Sequence, residues 1–482
     1  MSTTSGTWPT SNIATTASSP HIGTATCHEP EVLTPAPRQI RLNAFDMATP
    51  GHIAQGLWTH PRDNSTGYNK LSHWTKLAKT LEHGLFDGLF LADILGIYDV
   101  HGASPDAALR HAVQVPLLDP LLLVPAMAAV TTHLSFGVTA NLAYEPPYLF
   151  ARRMSTLDHL TDGRTGWNIV TGYLDSAARA LGYSQQMRHD DRYDLADEYM
   201  DAVYALWEGS WGQGAVRRDK SSAIFADPSN IRRIDHHGRQ FDISAYHLCE
   251  PSPQRTPVLY QAGSSPRGKI FAGRHAECVF VNGTNPAHLA PLVADLRAHA
   301  APRRILVFAG ATIVTGRTER EARDRLADYA AQAQGEAALV HASASLGIDL
   351  AAFGPDEPVD ASASNAIRSN AAAMNALLGP GWTRRDLLAH AVLGSRQPPI
   401  VGSATQVADT LSDWMRIADL DGFNLSRTVM PEGLESVIEL VIPLLQERGL
   451  YKTGYAPGTM RAKLLGQGDR LAPPHRAAAF RG

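Results

Sequence analysis

The sequence predicts an α/β protein folded as a (β/α)8 TIM barrel with long insertions and a C-terminal extension. Three observations lead there. Short apolar or β-branched runs alternate with amphipathic helical stretches, which implies a parallel sheet. The runs number eight, a repeat that closes into a barrel more readily than it lies open. The first run is followed by Met47-Ala48-Thr49-Pro50-Gly51-His52, which lacks the spaced glycines of a dinucleotide-binding turn.

Residues 1–37 are rich in Ser, Thr and Pro and nearly uncharged, so they are expected to form a disordered tail. They lack the basic start and continuous apolar core of a secretory signal. The barrel is expected over 38–450. Its strands are expected at 40–45, 88–93, 134–142, 165–172, 258–263, 277–283, 305–314 and 422–427. Apolar residues at helical spacing mark helices at 71–82, 147–160, 193–207, 287–300, 319–331 and 404–417. The connections 209–255 and 332–401 far exceed the roughly two to six residues of an ordinary βα loop. They are expected to carry extra strands or helices, one of them covering the site. Residues 451–482 are basic and contain Pro and Gly; this extension is expected on the surface or against a partner subunit.

The bulk properties exclude several classes. A net charge of -4 without blocks of like charge does not suit a nucleic-acid binder. Cys27, Cys249 and Cys278 make neither a disulfide framework nor a zinc site, which fits a reducing cytoplasm. The longest apolar run, 115–130, is broken by Pro116, Asp119, Pro120 and Pro125, so no segment reads as a membrane span. The chain has 20 histidines, yet no His-Glu-x-x-His or comparable ligand spacing, and His236 and His237 would point apart in a strand. No catalytic metal is expected. Neither a Gly-x-Ser-x-Gly elbow nor a Walker loop is present.

Sites in such barrels lie at the C-terminal strand ends. The second strand ends on Asp93, a carboxylate that could accept a hydrogen bond from a bound ring or simply face solvent. The third carries Thr139, and the fourth runs through Asn168 to Gly172-Tyr173. The fifth runs into Gly263-Ser264-Ser265 ahead of a helix. Close backbone approach at Gly263 and the free N–H groups of the new helix suit a phosphate; the alternative is a serine cap and nothing more. His189 and Tyr193, spaced i, i+4, could present side chains together, with Asp190 or Asp191 capping the helix.

Longer stretches resemble the bacterial-luciferase-like FMN-dependent monooxygenases. The branch is that of the nitrilotriacetate, pristinamycin-synthase and dibenzothiophene-sulfone enzymes, nearest to its alkane- and dimethyl-sulfide-oxidising members. The resemblance is carried by 42–47, Gly56-Leu57-Trp58 with His60-Pro61, 86–100, 151–160, 167–171, 189–199, 249–257, 261–263 and 421–425. It implies an enzyme that takes FMNH2 from a separate NAD(P)H-dependent flavin reductase, adds O2 at the flavin C4a position and transfers one oxygen atom to a small organic substrate. It also implies a homodimer or homotetramer. By position, Asp93 and Thr139 would contact the flavin ring, and Gly172, His189, Tyr193, Gly263, Ser264 and Ser265 its ribityl chain and phosphate. His52, Tyr98, Gln114, Tyr173 and His341 would line the substrate side. Thr49 stands where the alkane enzyme's pocket carries a cysteine, and Gly172-Tyr173 where it carries Ser-His, which argues against a long alkane. Two alternatives are a deazaflavin-dependent oxidoreductase on the same barrel and a non-catalytic flavin-binding protein.

Overall fold

The computed structural model describes residues 38–263, 265–360, 374–375, 377–394 and 398–481. The expected tail over 1–37 and Ser264 therefore lie outside the described residues. Eight strands form the central ring: β1 (Arg41–Met47), β2 (Gly88–Ala92), β3 (Ser135–Asn141), β4 (Thr165–Val170), β5 (Val258–Gln261), β6 (Cys278–Val281), β7 (Leu306–Gly316) and β8 (Gly422–Ser426). Each pairs in parallel with the next, and β8 pairs with β1 to close the ring. All eight expected strands are present within a few residues at each end.

Helices Leu71–His83, Pro147–Leu160, Pro286–Ala300, Glu319–Ala330 and Ala404–Ile417 follow the apolar periodicity. The helix expected at 193–207 begins earlier, as His189–Tyr204, and runs into a wider turn at Ala205–Gly209. Asp190 and Asp191 consequently lie in its first turn rather than at the cap, which Arg188 occupies without a side-chain bond. Their carboxylates still favour the positive end of the helix dipole.

Side chains alternate across each strand. Leu42, Ala44, Leu89 and Leu91 belong to the layer between strands and helices, whereas Phe45, Phe90, Val258, Tyr260, Cys278, Phe280 and Phe308 fill the ring. Phe90 meets Phe280 edge-on with centroids 4.4 Å apart, and Tyr260 stacks on Phe280 at 5.3 Å. Space for these rings comes from Gly137 and Gly166, where a Cβ would sit 2.6 Å from Phe90 and 2.8 Å from Tyr260.

The C-terminal extension is not a surface appendage. Helix Met460–Leu465 puts Met460 and Leu464 into the barrel interior at the N-terminal ends of the strands. Arg461 beside them is 1% exposed. It donates to both carboxylate oxygens of Glu277, at 2.7 and 2.9 Å, and to the carbonyls of Thr256, Pro257 and Asp469. A helix of six residues has too short a pattern to betray its buried face.

The first insertion holds two antiparallel hairpins, Val216–Asp219 with Ile224–Ala226 and Ile234–His237 with Asp242–Ala245. His236 and His237 lie on opposite faces of their strand, as adjacent strand residues must. The second insertion includes helices Gly335–Leu346 and Arg384–His390, packed around Leu339, Leu346, Trp382 and Leu387. No helix among the described residues is long and apolar enough to cross a membrane.

Arg461→Met would leave Glu277 buried without its cation. It is expected to lower the unfolding free energy by about 3–5 kcal/mol in urea titrations, and Arg461→Met with Glu277→Gln to restore part of that. A loss below about 1 kcal/mol would show that the pair does not hold the base of the barrel.

Candidate functional site

The C-terminal ends of the strands open into a cavity of 460 Å³. Its floor is the upper edge of the aromatic packing, Phe45, Phe90 and Phe280. Inward positions above that floor are polar: Thr139, Asn168, Asn282, Thr312, Asn424 and Ser426, with Asp93 beside them. The second insertion supplies an apolar roof of Ala342, Leu346, Met374, Leu377 and Leu387.

Two buried acceptors in this wall lack partners. Asn168 donates through Nδ2 to Thr139 Oγ1 at 3.0 Å, but its Oδ1 has no hydrogen-bond partner; Asn424 Oδ1 has none either. An unmet buried polar atom costs about 1–3 kcal/mol, which a ligand donating N–H groups would recover. Asp93 is the carboxyl of the cavity. Burial, helped by the negative charge of Asp119, pushes it up to about 7, against the Ile94 N–H that favours its charged form. Near neutrality it can therefore donate or accept a hydrogen bond.

A glycine turn leading into a helix adjoins this cavity. Ala262 lines the cavity and Gly263 follows it. Ser265 caps helix Pro266–His275, accepting from Gly268 N at 3.1 Å. The same hydroxyl lies 3.4 Å from His189 Nε2, whose ring is held at Nδ1 by Asp190 at 2.7 Å. Tyr193 packs edge-on against His189 at 5.3 Å. A Cβ on Gly263 would come within 2.9 Å of the Tyr193 hydroxyl and 2.3 Å of Gln261 Nε2. His189, Tyr193, Gly263 and Ser265 thus converge from two elements. Gly172 sits at φ +73, where a Cβ would meet Asn141 Nδ2 at 2.6 Å, and its carbonyl accepts from Arg192. Its glycine is a requirement of the turn, not merely a lost hydroxyl.

The residues expected on the substrate side form a second group. Tyr98 donates to Gln114 Oε1 at 2.7 Å, and its hydroxyl is 2.8 Å from that of Tyr173. The His341 ring lies 5.9 Å from that of Tyr98. Gln114 lines a neighbouring cavity of 500 Å³ that shares Asp93 and Thr139 with the first. His52 is buried outside the lining of the main cavity and packs edge-on at 4.6 Å against Phe45, which belongs to that lining. Its loop is pinned by Arg427, which pairs with Asp46 at 2.5 Å and donates to the carbonyls of Thr49 and Pro50.

Asn282, Thr312, Asn424 and Ser426 were not singled out from the sequence, and Asn168 only as part of a strand end. The signal was available: in β8, Asn424 and Ser426 alternate with apolar Phe423 and Leu425, a pattern that places polar groups on one face.

Asp93 sets a pH dependence. Folded, it keeps its proton up to about 7; unfolded, it releases it near 3.8. Its contribution to stability is therefore full at low pH, declines as pH rises between those values, and is level above them. Asp93→Asn should remove that slope and gain on the order of 2–4 kcal/mol over the parent between these limits, read from urea melts. Parallel profiles for the two proteins would refute the buried acid.

Comparison with known proteins agrees with this architecture. The family model described as "Luciferase-like monooxygenase" matches residues 47–419. The chain is 43% identical to the dimethyl-sulfide monooxygenase of Hyphomicrobium sulfonivorans, covering 92% of this chain and 94% of that protein. It is 45% identical to the long-chain alkane monooxygenase of Geobacillus thermodenitrificans, covering 92% and 98%. A crystal structure of a riboflavin lyase with modified FMN and substrate riboflavin superposes with a TM-score of 0.86 at 36% identity, covering 92% of this chain and 100% of that one. These relatives favour the flavin monooxygenase over the deazaflavin alternative. The chain belongs to the luciferase-like monooxygenase family and is a flavin-dependent monooxygenase.

Proposed function

We propose that this protein is the oxygenating component of a two-component system. It takes FMNH2 from a separate NAD(P)H-dependent flavin reductase and uses O2 to oxidise a small organic substrate. It works in the cytoplasm as a homodimer or homotetramer. The observation that carries the reading is the junction of a glycine–serine turn suited to an anion with a cavity whose wall is polar and whose floor and roof are apolar.

The residues present suit reduced FMN. The turn at Gly263, which Gln261 and Tyr193 crowd too closely for any side chain, takes the phosphate at the start of the helix, with Ser265, His189 and Tyr193 around it. The unpaired oxygens of Asn168 and Asn424 suit the N–H groups of the flavin ring, and Asp93 and Thr139 lie on the same wall. When bound, the reduced flavin supplies two electrons, so that one atom of O2 enters the substrate and the other leaves as water. The protein's part is orientation and exclusion of water. Asp93, poised near neutrality, can hold or pass a proton at the ring edge. The insertion roof keeps the reacting space dry.

The apolar roof selects a small, weakly polar substrate: an alkane, an organosulfur compound or a related xenobiotic. With Gln114 Oε1 accepting from Tyr98, and Tyr173 donating to Tyr98, the donors left in this chain are the amide N–H groups of Gln114, which lines the neighbouring cavity; a thioether sulfur accepts a weak hydrogen bond and an alkane accepts none, which favours an organosulfur compound.

Purified protein with a flavin reductase, NADH and FMN is expected to convert dimethyl sulfide in preference to n-alkanes, with products read by gas chromatography. A preference for long alkanes would overturn the substrate assignment. Hydrogen peroxide as the sole product across the panel, with FMNH2 bound, would overturn the oxygenation itself. Ser265→Ala should weaken FMNH2 binding by about 1–3 kcal/mol, measured by anaerobic fluorescence titration. Tyr173→Phe should lower kcat/KM for the thioether and spare FMNH2 affinity.

A further inference from the structure

The N-terminal end of the barrel, opposite the flavin site, holds a feature the oxygenation does not use. A cavity of 410 Å³ opens where β1, β3 and β7 begin, bounded by the C-terminal segment. Its lining carries Arg38, Arg41, Arg304, Lys452 and Lys463 against a single carboxylate, Asp87.

The charges are unevenly committed. Asp87 is engaged by Lys452 at 2.8 Å and by the Leu42 N–H at 2.8 Å. Behind the wall, Arg38 pairs with Asp419 at 3.1 Å and with Asp421 at 3.6 Å, and Arg304 with Asp421 at 3.4 Å. Arg41 and Lys463 have carbonyl acceptors instead: Leu464 O at 2.9 Å and His133 O at 2.5 Å. Among the described residues neither has a carboxylate within ion-pair distance. Burial and the charges of Arg164 and Lys452 hold the Lys463 ammonium down at about 8. Cations gathered in one cavity repel one another, and an anion among them recovers that energy. Arg41 and Lys463 are thus, among the described residues, the two cations of the lining left without a carboxylate, and the cavity has room for more than a bare phosphate. Tyr455, whose ring stacks on His133 at 4.8 Å, and Ser135 complete the same lining.

We propose that this cavity is a second ligand site, which takes a small phosphorylated compound carrying at least two negative charges. The phosphate groups sit between Arg41, Lys463 and Lys452, and the body of the ligand lies against Tyr455. Because the lining joins strand starts to the C-terminal segment, the ligand staples that segment to the barrel. It raises thermal stability without entering the flavin site.

Calorimetric titration of the full-length protein with pyrophosphate, ADP and citrate at fixed ionic strength tests this. Pyrophosphate and ADP are expected to bind with one site each, citrate at least tenfold more weakly. Arg41→Ala and Lys463→Met should each weaken pyrophosphate binding tenfold or more and abolish the rise in melting temperature, with FMNH2 affinity unchanged as the check on folding. Ser265→Ala should leave pyrophosphate binding intact. Pyrophosphate should also slow labelling of Lys463 by trinitrobenzenesulfonate, mapped by peptide mass. Binding that survives both cavity variants, or that Ser265→Ala abolishes, would overturn the proposal, as would absence of pyrophosphate and ADP binding.

Discussion

Inside the barrel, Phe90, Tyr260 and Phe280 pack edge and face against one another, and the rest of the molecule is arranged around that packing. A ring of eight strands admits only a few inward side chains per layer. Three large rings fill the middle layer, and Gly137 and Gly166 yield the space they need. The ligand cavity is thereby confined to the C-terminal half. Below the rings, Met460 and Leu464 complete the plug, and the buried Arg461–Glu277 pair ties that plug to β6 and to the segment entering β5. The two ends of the barrel are separated by aromatic packing, which lets each carry its own chemistry.

The upper layer follows different rules. Polar side chains inside a barrel are costly unless something bonds them. Asn168 and Asn424 keep oxygens that no protein group satisfies, and Asp93 is kept near its neutral form by burial. The ligand-free fold bears the cost of these unpaired groups, and a ligand that donates to them would recover it. The second insertion faces them with an apolar roof of Ala342, Leu346, Met374, Leu377 and Leu387.

Most of the fold was legible along the chain, because strand and helix periodicities differ and each of the eight strands is bounded by a change of pattern. The catalytic end was partly legible. Asp93 and the Gly263 turn are punctuation at strand ends, visible without any contact. Asn424 was hidden inside an apolar strand, and its meaning depends on which face of β8 looks inward. The N-cap of helix His189–Tyr204 was misplaced because the aspartates that mark its first turn also make good caps. The place of the C-terminal extension inside the barrel is not legible along the chain, because six helical residues cannot display a burial pattern, although Arg461 is among the most deeply buried charges of the described residues.

What the sequence determined by itself is therefore local and periodic: eight strands, their helices, the glycine turn after β5 and the family likeness of its strand ends. Tertiary structure alone decided which distant groups meet. It brought His189 to Ser265, separated by 76 residues, and Arg461 to Glu277, separated by 184. It also turned the second insertion into a roof and gathered Arg41 and Lys463 in one cavity. The reason is physical. Hydrogen bonds and ion pairs depend on distances of a few ångströms, and closure of the ring, not order along the chain, sets those distances.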